Sequence, residues 1–115
     1  MWTMTRQLRK SIREYCRENP GLVKNRYRGL HPLAGHCYHA SEAYFHETGG
    51  YDKWEVLRLQ HEGTTHWCLR DRDSKKIFDL TVEQFNTPPD YETATATRFF
   101  TKEPSYAAQE ILKYA

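Results

Sequence analysis

Three residues of this chain, Cys37, His66 and Asp79, carry the side chains that catalysis by a thiol nucleophile requires. A cysteine reacts as its thiolate, a form that a helix N-terminus and a neighbouring imidazolium both favour. A histidine accepts the thiol proton and later returns it to the leaving group. A carboxylate beside the histidine fixes the imidazole tautomer and stabilises its charged form. These residue types predict attack of the thiolate on an amide or related acyl carbonyl, which gives a thioester.

That reaction also needs donors for the oxyanion that develops on the attacked carbonyl. The backbone N–H of Cys37 is one candidate because we expect a helix to begin there. His31, His36 and Trp67 are further candidates for an oxyanion donor or a substrate contact. The predicted reaction uses no metal and no other cofactor.

Cys37 falls in the first turn of a predicted helix. This helix starts near His36 and ends at Gly49-Gly50, a sequence typical of a helix C-terminus. One side of it is small or apolar and must pack against another surface. That side consists of Cys37, Ala40, Ser41, Tyr44, Phe45 and Thr48. The three candidate catalytic residues come together if this side packs on the sheet face that carries His66.

His66 and Asp79 lie in two strands of a predicted antiparallel meander. The strand-like runs are 54–60, 65–70 and 76–80. If residues 71–74 form the second turn, His66 is directly opposite Asp79. Opposed residues share a face, with Cβ atoms about 4.5–5.5 Å apart, so the carboxylate reaches one imidazole nitrogen. A slip of one residue would place the two side chains on opposite faces.

The remaining elements complete an α+β prediction. Residues 4–15 form an amphipathic helix that stops at Asn19-Pro20-Gly21. Thr81 is predicted to cap a short helical turn, residues 95–101 to form a strand, and Pro104 to open a final helix. The predicted fold has N-terminal helices, with the cysteine-bearing helix packed on a small antiparallel sheet.

The composition indicates one small domain. The chain has 115 residues, 38% of them hydrophobic, and its apolar runs are too short for a membrane helix or a secretory signal. We therefore expect a single compact domain over residues 1–115 that is cytoplasmic and contacts no membrane. Three cysteines are an odd number, which argues against a disulfide framework. We expect Cys16 and Cys68 in the core and Cys37 free to react.

Positive charge is concentrated near the N-terminus. Residues 1–31 hold eight Lys and Arg against two Asp and Glu, whereas residues 32–115 hold nine against thirteen. The basic amphipathic helix over residues 1–18 fits an acidic protein partner. The chain shows no recognisable nucleic-acid-binding motif, so nucleic acid is not an expected partner.

The arrangement resembles the papain-like thiol hydrolase superfamily, especially its compact NlpC/P60 and transglutaminase-like branches. The shared features are the order Cys, His, Asp, a cysteine that opens a helix, and a histidine and an aspartate on adjacent antiparallel strands. Over residues 32–105 the chain is also similar to the small bacterial and phage YunG-like proteins. The similar stretches are Gly35-His36-Cys37-Tyr38 with Ser41-Glu42-Ala43, Gly63-Thr64-Thr65-His66-Trp67 and Phe78-Asp79-Leu80-Thr81-Val82-Glu83-Gln84-Phe85.

This resemblance implies a papain-like core over residues 32–105. It also implies a cysteine hydrolase or peptidase that acts on a peptide, a protein or a small amide substrate. Cys37, His66 and Asp79 match the nucleophile, the base and the orienting carboxylate of the family.

Two other functions fit the same residues. A papain-like scaffold without catalysis, encoded by a phage, would bind a host protein through the basic helix. A zinc site would draw on the soft ligands His36, Cys37, His39, His66 and Cys68, although their spacing matches no zinc-finger pattern. For the catalytic candidates the structural alternative is a buried core cysteine, a structural histidine and an aspartate that caps a turn.

Overall fold

The computed structural model describes residues 2–19, 36–98 and 103–114. In these ranges the protein has three α-helices and a four-stranded antiparallel sheet, which confirms the predicted α+β class. The helices are α1 (Trp2–Glu18), α2 (Cys37–Glu47) and α3 (Tyr106–Tyr114). The strands are β1 (Trp54–His61), β2 (Thr64–Asp71), β3 (Ile77–Phe78) and β4 (Thr95–Thr97), in the order β3-β2-β1-β4. None of the described helices is long and apolar enough to cross a membrane.

Helix α1 is amphipathic, as its sequence predicts. Ile12 and Cys16 are fully buried on one side, whereas Lys10 and Arg17 are exposed on the other. One basic residue of this helix contributes to packing, because the Arg9 guanidinium lies 5.0 Å from the centre of the Phe78 ring. The basic helix therefore joins the sheet through a cation–π contact as well as through its apolar side.

The sheet has two covered faces. The helix face consists of Trp54, Val56, Trp67, Leu69 and Phe78, and it packs against the helices. The loop face consists of Leu57, Leu59, His66, Cys68 and Ile77. Helix α2 lies on the helix face, where the Tyr44 ring is 5.7 Å from that of Trp54 and 6.3 Å from that of Phe78. Helix α2 therefore packs on the face opposite to that of His66, so the condition under which the three candidate catalytic residues were predicted to come together is not met.

Two predicted elements are shorter in the structure. Strand β3 has two residues, where the sequence predicted 76–80, because the chain leaves the sheet after Phe78 and turns into a 3-10 helix at Val82–Gln84. Thr81 precedes this turn but does not cap its backbone, since its hydroxyl instead accepts from the Gln84 side chain at 2.9 Å. The predicted strand 95–101 is described only to Arg98, and β4 occupies Thr95–Thr97 of it.

The start of α3 also differs from the prediction. The Ser105 carbonyl accepts from the N–H of Gln109, and its hydroxyl accepts from the N–H of Ala108. Ser105 is therefore the N-cap, and Pro104 precedes the helix instead of opening it. The Ser105 hydroxyl and backbone N–H both donate to the fully buried carboxylate of Glu42, at 2.6 and 2.8 Å. These two bonds join α3 to α2.

Replacing Ser105 with alanine should lower the free energy of unfolding by about 2 kcal/mol. The change removes an N-cap and leaves one oxygen of a buried carboxylate without its closest donor. Urea unfolding followed by circular dichroism measures the effect. Ser11→Ala, within α1, is the control and should stay within about 0.5 kcal/mol of the parent. Equal stability of the two variants would show that the Glu42 contact does not stabilise the fold.

Candidate active site

Helix α2 meets the site along an edge of β2. Strand β3 pairs with β2 only near the carboxyl end of β2. Among the described elements, the first half of β2 therefore forms an edge of the sheet. Here the Ser41 hydroxyl donates to the carbonyl of Trp67 at 3.2 Å. One helical turn earlier, the Cys37 sulfur lies 3.9 Å from the carbonyl oxygen of Thr65, a weak thiol hydrogen bond. These contacts place Cys37 at the sheet edge, next to the part of β2 that contains His66.

His66 and Asp79 form a buried pair on the loop face. The distance from His66 Nε2 to Asp79 Oδ2 is 2.7 Å, and the two side chains are 0% and 4% exposed. The predicted contact is thus present, but the register is not the predicted one. Leu69 pairs with Phe78, so His66 and Asp79 are diagonal neighbours instead of directly opposed residues. A shift of two residues keeps both on one face, and long side chains bridge diagonal positions.

The register shift originates in the turn between β2 and β3. The turn was predicted at residues 71–74, but the N–H of Asp71 bonds to the carbonyl of Lys76, so the turn comprises residues 72–75. The Asp71 carboxylate accepts from the backbone N–H groups of Asp73 and Ser74 at 2.9 and 3.2 Å. Such side-chain to backbone bonds fix an Asx-type turn, which extends β2 by one residue and moves the ladder by two.

The surroundings of His66 raise its pKa to about 9. Burial is the largest single effect and lowers this pKa, but hydrogen bonding and charge from Asp79 and Cys37 together outweigh it. The imidazole therefore carries its proton at neutral pH. Nδ1 is buried and has no hydrogen-bonding partner among the described residues, so Cys37 acts on the pKa of His66 without a hydrogen bond of standard geometry. Catalytic hydrogen bonds are often long or poorly aligned in resting sites.

The raised pKa of His66 predicts a pH dependence of stability. The pKa of this group is 6.5 without the fold and about 9 within it. Its contribution is therefore fully present below pH 6.5 and is lost as the pH rises through about 9. Urea unfolding between these pH values should show a free energy of unfolding that falls with pH, and the fall should be smaller in His66→Gln. A fall as large in His66→Gln as in the parent would contradict the proposed pair.

Two residues that the sequence pattern did not single out surround the pair. The Tyr91 hydroxyl donates to Asp79 Oδ2 at 2.7 Å, the same oxygen that contacts His66. The Phe85 ring meets the His66 ring edge-on, with the ring centres 4.7 Å apart. Tyr91 is 12 positions from Asp79 and belongs to a separate 3-10 turn, so neither helical nor strand periodicity could have linked the two residues.

The predicted oxyanion and substrate contacts have different locations. His31 lies outside the described residues. His36 directly precedes α2 and is fully buried, and burial together with His39 lowers its pKa to about 4, so it is neutral near pH 7. Trp67 lies on the helix face, where its ring meets the Tyr38 ring edge-on at 4.7 Å. The roles assigned to these three residues stay predictions.

No side chain of the described residues caps helix α2 at His36. The backbone N–H of Cys37 therefore stays a candidate oxyanion donor, at the end of the helix where the dipole favours negative charge.

All three cysteines are buried free thiols. The core placement predicted for Cys16 and Cys68 is confirmed, since both are 0% exposed. Burial raises the pKa of Cys16 to about 12 and also raises that of Cys68, so neither is a thiolate at neutral pH. Within the described ranges no group of three or more His, Cys, Asp or Glu residues is arranged to hold a metal ion.

Compared with family models, with curated proteins and with solved structures, the chain gives no significant match.

Proposed function

We propose that the protein is a cysteine hydrolase or acyl-transfer enzyme with a papain-like core, acting on an amide or peptide-type bond through Cys37, His66 and Asp79. The observation that carries this proposal is the buried 2.7 Å hydrogen bond between His66 and Asp79, on an imidazole that also interacts with a cysteine at a helix N-terminus. The packing of that helix against an antiparallel sheet supports the papain-like architecture.

In the first half of the reaction, the thiolate of Cys37 attacks the carbonyl carbon of the substrate. The raised pKa of His66 supplies an imidazolium partner for this thiolate at neutral pH. The tetrahedral intermediate places its oxyanion at the N-terminus of α2. When the intermediate collapses, the carbon–nitrogen bond breaks and the imidazolium gives its Nδ1 proton to the leaving amine. The products of this half are an acyl-thioester, a free amine and a neutral imidazole.

In the second half, His66 acts as a base. Its Nδ1 takes a proton from water, or from an acceptor amine, as the oxygen or nitrogen attacks the thioester carbonyl. The carbon–sulfur bond breaks, the acyl group leaves as an acid or a new amide, and the thiolate–imidazolium pair is restored. Asp79 accepts the Nε2–H bond throughout, so that Nδ1 stays directed at Cys37.

The buried pair favours this proposal over the inactive scaffold. Taking an imidazolium and a carboxylate out of water costs several kcal/mol per ion, and apolar residues of similar size often stabilise such a position equally well. Strongly shifted titratable groups beside a nucleophile are typical of catalytic sites. A protein that only binds a partner through α1 has no use for this pair.

An acyl ester with a chromophoric leaving group tests the proposal without knowledge of the natural substrate. Mixing the protein with p-nitrophenyl acetate should give a burst of nitrophenolate equal to the enzyme concentration, and peptide mapping should find the acetyl group on Cys37. Cys37→Ser should lose the burst. Absence of a burst from the folded parent, or an acetyl group found only on lysines, would refute the proposal.

A further inference from the structure

One oxygen of Asp79 receives two short hydrogen bonds. Oδ2 accepts from His66 Nε2 and from the Tyr91 hydroxyl, each at 2.7 Å. The other oxygen, Oδ1, is buried and has no hydrogen-bonding partner among the described residues. A carboxylate held through one oxygen by a single donor retains freedom to rotate, whereas a second donor from another direction restricts it. The second donor here is Tyr91.

The Tyr91 hydroxyl is the donor in its bond to Asp79. Burial and the neighbouring Asp79 both raise the pKa of its hydroxyl, so the hydroxyl stays protonated across the physiological range. Its ring packs against the buried cluster of the loop face, which contains Leu57, Leu59 and Cys68. The position of the hydroxyl is thus set by a packed ring on a short 3-10 turn that begins at Asp90.

The segment 85–91, which carries Phe85 and leads to Tyr91, is hydrogen-bonded to the turn between β1 and β2. Glu62 in that turn accepts from the backbone N–H groups of Asn86 and Thr87, at 3.0 and 2.8 Å. The Thr87 hydroxyl also donates to it at 2.7 Å. These hydrogen bonds of Glu62 are at an exposed position. The neighbouring Phe85 ring packs on the ring of His66. The segment is therefore held by Glu62 at residues 86–87 and by Asp79 at Tyr91.

We propose that Tyr91 is a positioning residue for the reaction proposed above: its hydroxyl aims the Asp79 carboxylate at His66 Nε2 and so keeps Nδ1 directed at Cys37. This inference rests on the proposed function. Tyr91 itself contacts neither the thiol nor any reacting atom in this scheme. If the Tyr91 hydroxyl had only a structural role, its removal would lower the stability of the fold and leave the reactivity of Cys37 unchanged.

The test compares Tyr91→Phe with Tyr106→Phe, a matched control whose ring is 74% exposed. The rate of Cys37 alkylation by iodoacetamide is measured from pH 5.5 to pH 9, with peptide mapping, and the titration of His66 is followed by NMR. Tyr91→Phe should lower the rate at pH 7 by about tenfold and shift both pH profiles, because small displacements of an orienting group cost this much or more. Tyr106→Phe should match the parent.

Glu62→Gln provides a second variant, because it weakens the exposed hydrogen bonds to Asn86 and Thr87 and leaves the Tyr91 hydroxyl in place. It should lower the alkylation rate in the same direction. Parent-like rates and titrations in whichever of these variants are folded would overturn the role of Tyr91. A parent protein whose Cys37 reacts no faster than Cys16 and Cys68 would instead refute the proposed function, whatever the variants do.

Discussion

Replacing His66 with asparagine should lower the rate of acyl-thioester formation at pH 7 by about three orders of magnitude or more. Asparagine is too short to reach Asp79, whose Oδ2 keeps the Tyr91 hydroxyl as a donor. It neither carries the positive charge that favours the thiolate nor transfers a proton. The nitrophenolate burst measures the rate. The loss should therefore be chemical, with the fold retained by circular dichroism.

His46→Asn is the matched control for this variant. His46 lies in the last turn of α2, where its ring meets the Phe45 ring edge-on at 5.0 Å. The burst rate of this control should stay within about twofold of the parent, since it removes a histidine that takes no part in the reaction. A His66→Asn protein that keeps more than a tenth of the parent rate would exclude His66 as the proton-transfer group.

Asp79→Asn should have the second largest effect, and it should act through His66. The amide carries no charge, so the larger of the two influences that raise the pKa of His66 is lost, while the influence of Cys37 and the lowering effect of burial remain. The pKa of His66 should then fall well below its present value of about 9. A neutral amide also permits the wrong tautomer, which costs about 10²–10⁴-fold in rate in comparable triads.

NMR titration of the His66 ring and the burst rate together check this prediction. Asp73→Asn, at an exposed position in the turn after β2, is the control and should leave the titration of His66 unchanged. Retention of a pKa near 9 in Asp79→Asn would show that the carboxylate is not what holds the proton on His66.

The contact between His66 and Asp79 could be predicted because it depends mainly on both residues lying on the same face of the sheet, and less on the exact pairing of the strands. Shifting the ladder by two residues changed the partner of His66 but left both side chains on one face. The shift itself could not be predicted, since it depends on the Asp71 side chain bonding to the turn that follows it. The start of α2 at Cys37 was predictable from local sequence, with the glycine pair marking the other end.

The face chosen by α2 could not be read from the sequence. Both faces of β2 and β3 carry apolar residues, and the deciding contacts are between aromatic rings, such as those of Tyr44 and Phe78. Tyr91 and the Glu42–Ser105 bonds were missed for a related reason. Each joins residues from different elements, and Glu42 and Ser105 are 63 positions apart. No local pattern relates such pairs before the chain has folded.

The most direct test of the catalytic site is the pH profile of Cys37 alkylation by iodoacetamide in the folded parent protein. If Cys37 is held as a thiolate by a protonated His66, it should react before Cys16 and Cys68, at a rate nearly constant from about pH 6 to pH 8. The same experiment on His66→Asn should give a slower reaction that depends on pH. A Cys37 that reacts no faster than the two core cysteines, or whose rate rises about tenfold per pH unit across this range as a free thiol does, would contradict the account.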